Sequence, residues 1–385
     1  MRIGIVSHLY PCKHEPISGI YVKEELESIS GYVDLVVIAP LPNQHWFGEI
    51  HKFVESYGYY VFRPFVVAFP RWFMQPYYPA SMAYTLKRHS NLFDGCSLIH
   101  VHTAFPDGVA AVNTFAKRFP VIVTVHGSDI NYFAMKPGLS NAITGSLNRA
   151  SHIICVSKAL EQKIKKLGVS TKTSVIPNGI DTKIFSGGSK ENACRKLGLN
   201  MSRKRILYAG NFVPVKGVEY CIKALPKILK EYPDIELILL GAKPGTKDKI
   251  RYLHVINKAG VGDSVYIHDR VPKEQLPQWF HASDIVVMPS LHEGFGLVAA
   301  EALACGRPVV ATRSGGPEDI IEDGLGLLVP PRDSSALGDA VIRVLSGKNI
   351  SGPDKLSDSA RRRFSYDGIA QQIVKVYNNT ISKSN

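Results

Sequence analysis

Short runs of β-branched and aliphatic residues recur along the chain, at residues 3–6, 35–38, 98–101, 121–125, 153–156 and 174–176. The second half repeats them at 206–208, 236–240, 265–267, 285–288 and 308–311. None alternates in the way of a strand with one wet face, so each reads as a strand buried on both sides. Between them, apolar residues spaced three and four apart predict helices over 22–29, 158–166, 218–230, 276–281 and 297–304. Strands alternating with helices predict an α/β class, with parallel sheets doubly wound by helices on both faces. The alternation pauses at residues 178–202, which carry Gly187-Gly188 and several Lys and Ser. That pause predicts a linker between two domains. A second pause, 346–358, precedes a last helical stretch around 368–378.

Length agrees, since 385 residues suffice for two domains. Hydrophobic residues at 45% and charged residues at 21% exclude a disordered or fibrous chain. No apolar run approaches the ~18 residues a membrane span needs, and the opening MRIGIVSHLYP reads as a strand rather than a secretory signal. Six cysteines, widely spaced and without a C-x-x-C pair, predict a reduced cytoplasmic protein. Charge is the anomaly: 46 Lys+Arg against 33 Asp+Glu gives +13. This admits nucleic acid, an anionic membrane surface or a phosphorylated small molecule as partner. Residues 1–180 carry 17 − 11 = +6 and residues 181–385 carry 29 − 22 = +7, so neither half is a dedicated polyanion-binding domain.

Chemistry in such folds gathers just after strands. Residues 289–318, PSLHEGFGLVAAEALACGRPVVATRSGGPE, are the richest segment. Here a strand ends in a glycine turn that opens a helix, so the free amides of Phe295, Gly296 and Leu297 form an anion site. Glu293 and Glu301 flank it, and carboxylates suit hydroxyl recognition. In YAGNFVPVKGVEY, Lys216 precedes Gly217 at a helix start, as a point charge for a pyrophosphate. The strand VIVTV ends in His126-Gly127. His126 reads either as a satisfied core histidine or as a group that orients a substrate hydroxyl or moves its proton. The first strand ends in His8, followed by Gly19 at a helix start. His100-x-His102 reads as two crevice-edge residues rather than a metal set; with no D-x-D triplet, no metal is required.

Together these segments resemble the retaining, family 4 nucleotide-sugar glycosyltransferases. The resemblance covers most of the chain: the Gly19 loop, LIHVHTAFPDGVAA, VTVHGSD, ASHIICVSKAL, VIPNGIDTKIF, YAGNFVPVKG and HEGFGLVAAEALACGRPVVATRSGGPEDII, in family order. It implies a GT-B fold, two Rossmann-like doubly wound domains facing across a cleft. Residues 1–185 would bind the acceptor, with 366–385 packing back on them, and 186–365 would bind the nucleotide sugar. The implied donor is a UDP- or GDP-linked hexose, transferred with retention and without a cofactor. Lys216 would hold the pyrophosphate, Glu301 the ribose, and Glu293 with the amides of Phe295, Gly296 and Leu297 the sugar. Gly19 would let its loop approach the donor phosphates, and His126 would contact the sugar. Arg270 and Val271, with Gly241, would lie near the nucleobase. One departure stands out: the family commonly has an arginine where this chain has Asn211. That loss weakens the donor grip unless another cation, such as Arg313, substitutes.

Asn211 also motivates a second reading, a catalytically silent sugar-nucleotide-binding protein. A dinucleotide oxidoreductase is disfavoured because the first strand–turn–helix lacks G-x-G-x-x-G, and no nucleic-acid-binding motif is visible. Residues 57–84 hold 11 aromatics in 28 positions, with Arg63, Arg71, Lys87 and Arg88 interleaved or following. This region and the Lys163-Lys165-Lys166 helix suggest a glycan or lipid-linked acceptor and an anionic membrane surface on the cytoplasmic side. An aromatic-rich core hairpin or loop is the alternative reading of that stretch.

Overall fold

The computed structural model describes every residue except His14, 43–52, Tyr57, 68–76, 244–246 and 384–385, and only the backbone of 53–56 and 247–248. The chain forms two compact units, Met1–Gly179 with Tyr366–Asn385, and Ile180–Ser365.

The first unit has strands β1 (Arg2–Val6), β2 (Asp34–Ile38), β3 (Leu41–Pro42), β4 (Phe53–Ser56), β5 (Tyr59–Phe62) and β6 (Phe65–Val66). Four more follow: β7 (Leu98–His102), β8 (Val121–Val125), β9 (His152–Cys155) and β10 (Thr173–Val175). Its helices are α1 (Ile20–Ile29), α2 (Tyr78–Arg88), α3 (Val109–Phe115), α4 (Pro137–Leu147) and α5 (Lys158–Lys166). The main sheet runs β10-β9-β8-β7-β1-β2-β5-β4, parallel except for the antiparallel β4–β5 hairpin. Every residue of β7 and β8 is buried, which is why their sequence is apolar without alternation.

The second unit contains α6 (Lys190–Leu197), β11 (Arg205–Ala209), α7 (Val218–Glu231), β12 (Glu236–Ala242), α8 (Lys247–Ala259) and β13 (Val265–Asp269). It continues with α9 (Leu276–Ala282), β14 (Ile285–Met288), α10 (Leu297–Ala304), β15 (Val309–Thr312), β16 (Gly326–Val329), α11 (Ser334–Leu345) and α12 (Pro353–Phe364). Its sheet, β13-β12-β11-β14-β15-β16, is wholly parallel. The strand order therefore reverses between β11 and β14, the place where a doubly wound sheet opens a crevice at its carboxyl edge. In the first unit the reversal falls between β1 and β7.

Helix α13 (Tyr366–Ile381) belongs to the first unit. Its Ile369, Ala370, Ile373, Val376 and Tyr377 join the core built by β1, β2 and α1. The expected linker at 178–202 is a correction. It contains α6, whose Ala193 and Cys194 pack with Ala282 of α9 in a small core of their own. Ser189 caps α6 by accepting from the amide of Asn192 at 3.3 Å, and Lys190 reaches Asp284 at 2.7 Å. The pause at 346–358 likewise contains the start of α12, where the Ser357 hydroxyl donates to the Ala304 carbonyl at 2.7 Å.

Candidate active site

In the second unit the predicted residues converge on the β11/β14 reversal. The loop after β11 carries Lys216, and the loop after β14 carries Glu293. Lys216 Nζ donates to Glu293 Oε2 at 2.7 Å, and the Ser290 hydroxyl donates to the same oxygen at 3.0 Å. The Glu293 amide donates to the Ser314 carbonyl at 2.9 Å, which ties the loops after β14 and β15 together. Gly217 makes the first approach possible. Its φ is +64°, and a Cβ there would stand 2.1 Å from the Pro289 carbonyl oxygen. Beside the pair, α10 begins after Gly296 with no side-chain cap, so its first amides are free to meet an anion. Glu301 lies on α10 and is half-buried.

Asn211 follows β11 and accepts a short hydrogen bond from the guanidinium of Arg270, which follows β13. The parallel register puts both on the same edge of the sheet. A cation thus stands against the position where the resemblance leads one to expect an arginine. Val271 follows Arg270 in the same loop and is half-buried. Only the Phe295 amide was expected to meet a ligand, and its ring, 3% exposed and edge-on to Phe364 at 5.5 Å, is core. Only its backbone remains for a ligand.

In the first unit, α1 starts at Gly19, whose φ is +67° and whose Cβ would collide with the Leu9 carbonyl at 2.1 Å. The glycine is therefore demanded by close packing of the loop after β1. His8, in the loop two residues past β1, donates its amide to Asp107 Oδ1 at 2.8 Å, and its ring makes a short contact with Asp107 Oδ2. Thr103 also donates to Asp107, at 2.8 Å. His126 follows β8. Its turn is held by Asp129, which accepts from the amides of Ala104 and Gly127 at 2.8 Å and Ile130 at 3.0 Å. The His126 ring lies 4.7 Å from that of Tyr21, and burial lowers its pKa to about 3, so the imidazole is neutral.

His100 and His102 are not at a crevice edge: both are 0% exposed. His100 Nδ1 is 2.6 Å from the Tyr377 hydroxyl and Nε2 is 2.7 Å from the Thr124 hydroxyl. Together with Glu25 they form the one His/Glu group with metal-ligand spacing among the described residues. Both nitrogens of His100 are already engaged, which leaves two ligands and no fit to a metal ion. Glu25, Asp107 and Asp129 escaped the sequence reading. Glu25 had a signal: it shares the apolar stripe Val22, Leu26 and Ile29 of α1, where a carboxylate is out of place.

The surface expectations divide. Arg63 is 5% exposed and donates to the Pro11 carbonyl at 2.6 Å, so it serves the core and not a membrane. Lys163 donates to Asn131 Oδ1 at 2.9 Å. Tyr59 and Phe62 of the β4–β5 hairpin are buried, whereas Tyr77 and Tyr84 are 61% and 69% exposed on or beside α2, with Lys87 and Arg88 exposed at its end. Arg71, Phe69, Trp72 and Phe73 lie outside the described residues.

Comparison with known proteins accounts for this architecture. Residues 25–184 match the family model Glycosyltransferase Family 4, and residues 189–363 match Glycosyl transferases group 1. A Bacillus subtilis protein named for teichuronic acid biosynthesis, TuaC, is 28% identical over 89% of both chains. An uncharacterized glycosyltransferase of Methanocaldococcus jannaschii is 31% identical over 74% of this chain and 75% of its own. Among solved structures, sucrose-phosphate synthase of Thermosynechococcus elongatus aligns with a TM-score of 0.83 at 23% identity, covering 99% of each chain. HepE of Anabaena, in complex with UDP-glucose, aligns with a TM-score of 0.72 at 23% identity over 98% of this chain and 100% of its own. Two family models in chain order, on two doubly wound sheets each with a strand-order reversal, make this chain a group 1, family 4 glycosyltransferase with the GT-B fold.

Proposed function

We propose that the protein moves a hexose, with retention, from a UDP- or GDP-linked donor to a glycan or lipid-linked acceptor in polysaccharide or glycolipid synthesis. The observation that carries this is the Lys216–Glu293 pair at the strand-order reversal beside the open start of α10. A donor diphosphate competes with Glu293 for Lys216. As the lysine takes the phosphates, Glu293 is released to hold the sugar hydroxyls together with the amides at the start of α10, while Glu301 takes the ribose. Arg270, held by Asn211, supplies the second cation that position 211 lacks, close to the nucleobase side of the site with Val271. With the charge met by side chains and helix dipole, no metal is needed. The leaving phosphate oxygen takes the acceptor proton, and neutral His126 hydrogen-bonds the sugar. Gly19 brings its loop close to the donor. HepE in complex with UDP-glucose supports a UDP-sugar, and the naming of TuaC for teichuronic acid biosynthesis supports a biosynthetic acceptor.

No helix among the described residues is long and apolar enough to cross a membrane. The exposed Tyr77, Tyr84, Lys87 and Arg88 suit a peripheral role on an anionic leaflet, and six free cysteines suit its reducing, cytoplasmic side. The test is a thermal-shift screen against UDP, GDP, ADP and their hexoses, followed by product NMR with the donor that stabilises most. UDP- or GDP-hexose should raise Tm and yield a product of unchanged anomeric configuration, at the same rate in excess chelator. An inverted product, or activity abolished by the chelator, overturns the mechanism.

A further inference from the structure

A string of three side chains, buried Glu25 and His102 and half-buried His126, runs through the first unit. It starts at Glu25 on α1, passes His102 on β7 and ends in the turn after β8. His102 Nδ1 lies 3.2 Å from His126 Nε2, and His102 Nε2 lies 3.7 Å from Glu25 Oε1. Glu25 Oε1, His102 Nε2 and His126 Nδ1 are all enclosed and have no hydrogen-bond partner. Glu25 and His102 are one small side-chain adjustment from bonding each other, the contact that would satisfy both atoms. That leaves His126 Nδ1 as the unpaired end of the string, on a ring that is itself half-buried.

A neutral imidazole has one donor and one acceptor nitrogen, so the choice made at one end of such a string is forced on the next ring. When the Glu25 carboxyl is protonated it donates to His102 Nε2. His102 then donates through Nδ1 to His126 Nε2, and the His126 proton must sit on Nδ1. When Glu25 is ionised the string holds one proton fewer and both rings reverse. His102 Nε2 donates to the carboxylate, His126 Nε2 donates to His102, and His126 Nδ1 becomes an acceptor.

The geometry points to Glu25 as a positioning residue that, through His102, sets which nitrogen of His126 carries its proton and so makes Nδ1 a hydrogen-bond donor to a sugar oxygen. Burial supports this. It raises the Glu25 pKa to about 8, so the carboxyl is neutral at pH 7, and it keeps His102 and His126 uncharged. The groups facing Glu25 are His100 and His102 from β7, Tyr377 from α13 and Tyr21 from its own helix. Burial holds all four neutral at pH 7. Asp129 faces His126 through the backbone amide, at 3.4 Å. The catalytic use of this device rests on the reading of His126 as a donor-contacting group.

The test reads the tautomer and the rate separately. In the full chain, ¹⁵N NMR of the imidazoles should find the His126 proton on Nδ1 at pH 7 and on Nε2 above the Glu25 transition near pH 8. The transfer rate should fall about tenfold across the same range. Glu25→Gln, whose amide does not titrate, should hold a single His126 tautomer across this range and flatten the pH profile. Identical tautomers and profiles for wild type and Glu25→Gln from pH 6 to 9.5 would overturn the proposal, as would stoichiometric metal in the wild type that Glu25→Gln loses. A tautomer that follows Glu25, with His126→Ala transferring at the wild-type rate, would uphold the string and overturn the reading of His126.

Discussion

At the scale of single residues, Lys216 and Glu293 are the informative pair. Their side chains are 30% and 14% exposed, so neither is an idle surface group, and each holds the other ready for exchange with a donor. Lys216→Ala should lower turnover by roughly 10²–10³, the cost of losing one group that meets developing charge. An unchanged rate in a donor-saturated assay would remove Lys216 from the reaction. Arg270→Ala should act more weakly, raising the donor KM by about tenfold, which matches one charge-assisted hydrogen bond. Lys216 was legible from the glycine turn and helix start that follow a strand, whereas Arg270 was expected only through the family resemblance. That Arg270 leans on Asn211 was not legible, since 59 residues separate them.

At the scale of elements, β7 and the turn after β8 carry three imidazoles, His100 and His102 interior and His126 half-buried. Burial lowers His100 and His126 to about 3, and His102 well below its usual value. The unfolded chain takes up protons on these rings near pH 6.5 while the folded chain does not, so unfolding gains protons as the pH falls. Stability should therefore drop from pH 6.5 towards 3, by up to roughly 1.4 kcal/mol per histidine per pH unit. Glu25 acts with the opposite sign between its unfolded pKa near 4.3 and about 8, because there the folded state keeps a proton that the unfolded state has released. Three rings outweigh one carboxyl, so a melting series from pH 7 to 4 should show falling Tm for the first unit. A level series would contradict the burial of the rings. The strands themselves were readable from unbroken apolar runs. Helix α6 was not, because only Ala193 and Cys194 of its eight residues are buried and the rest resembles a polar linker.

At the scale of the whole molecule, the chain crosses between units twice, after Gly179 and after Ser365. The return places α13 in the first unit's core, where Ile369, Ala370 and Ile373 are each 1% exposed and Tyr377 is fully buried. A chain ending at Ser365 should therefore lose the first unit's cooperative unfolding transition and keep that of the second, seen as one calorimetric transition instead of two. Persistence of both would show that the first unit folds without its last helix. By itself the sequence determined what is local or periodic. It determined the parallel α/β class from run lengths, the helix starts from glycine turns, and Lys216, Glu293 and His126 from their places after strands. Only the tertiary structure decided what depends on distant segments meeting in a dry interior. It set which side chains of α13 enter the first core, a return the family resemblance had led one to expect, took Arg63 and the Phe295 ring out of any ligand's reach, and drew Glu25, His102 and His126 into one string. The reason is physical. Periodicity records which side of an element is buried, whereas the partner it is buried against, and the pKa and tautomer that follow, are set by residues the local pattern cannot contain.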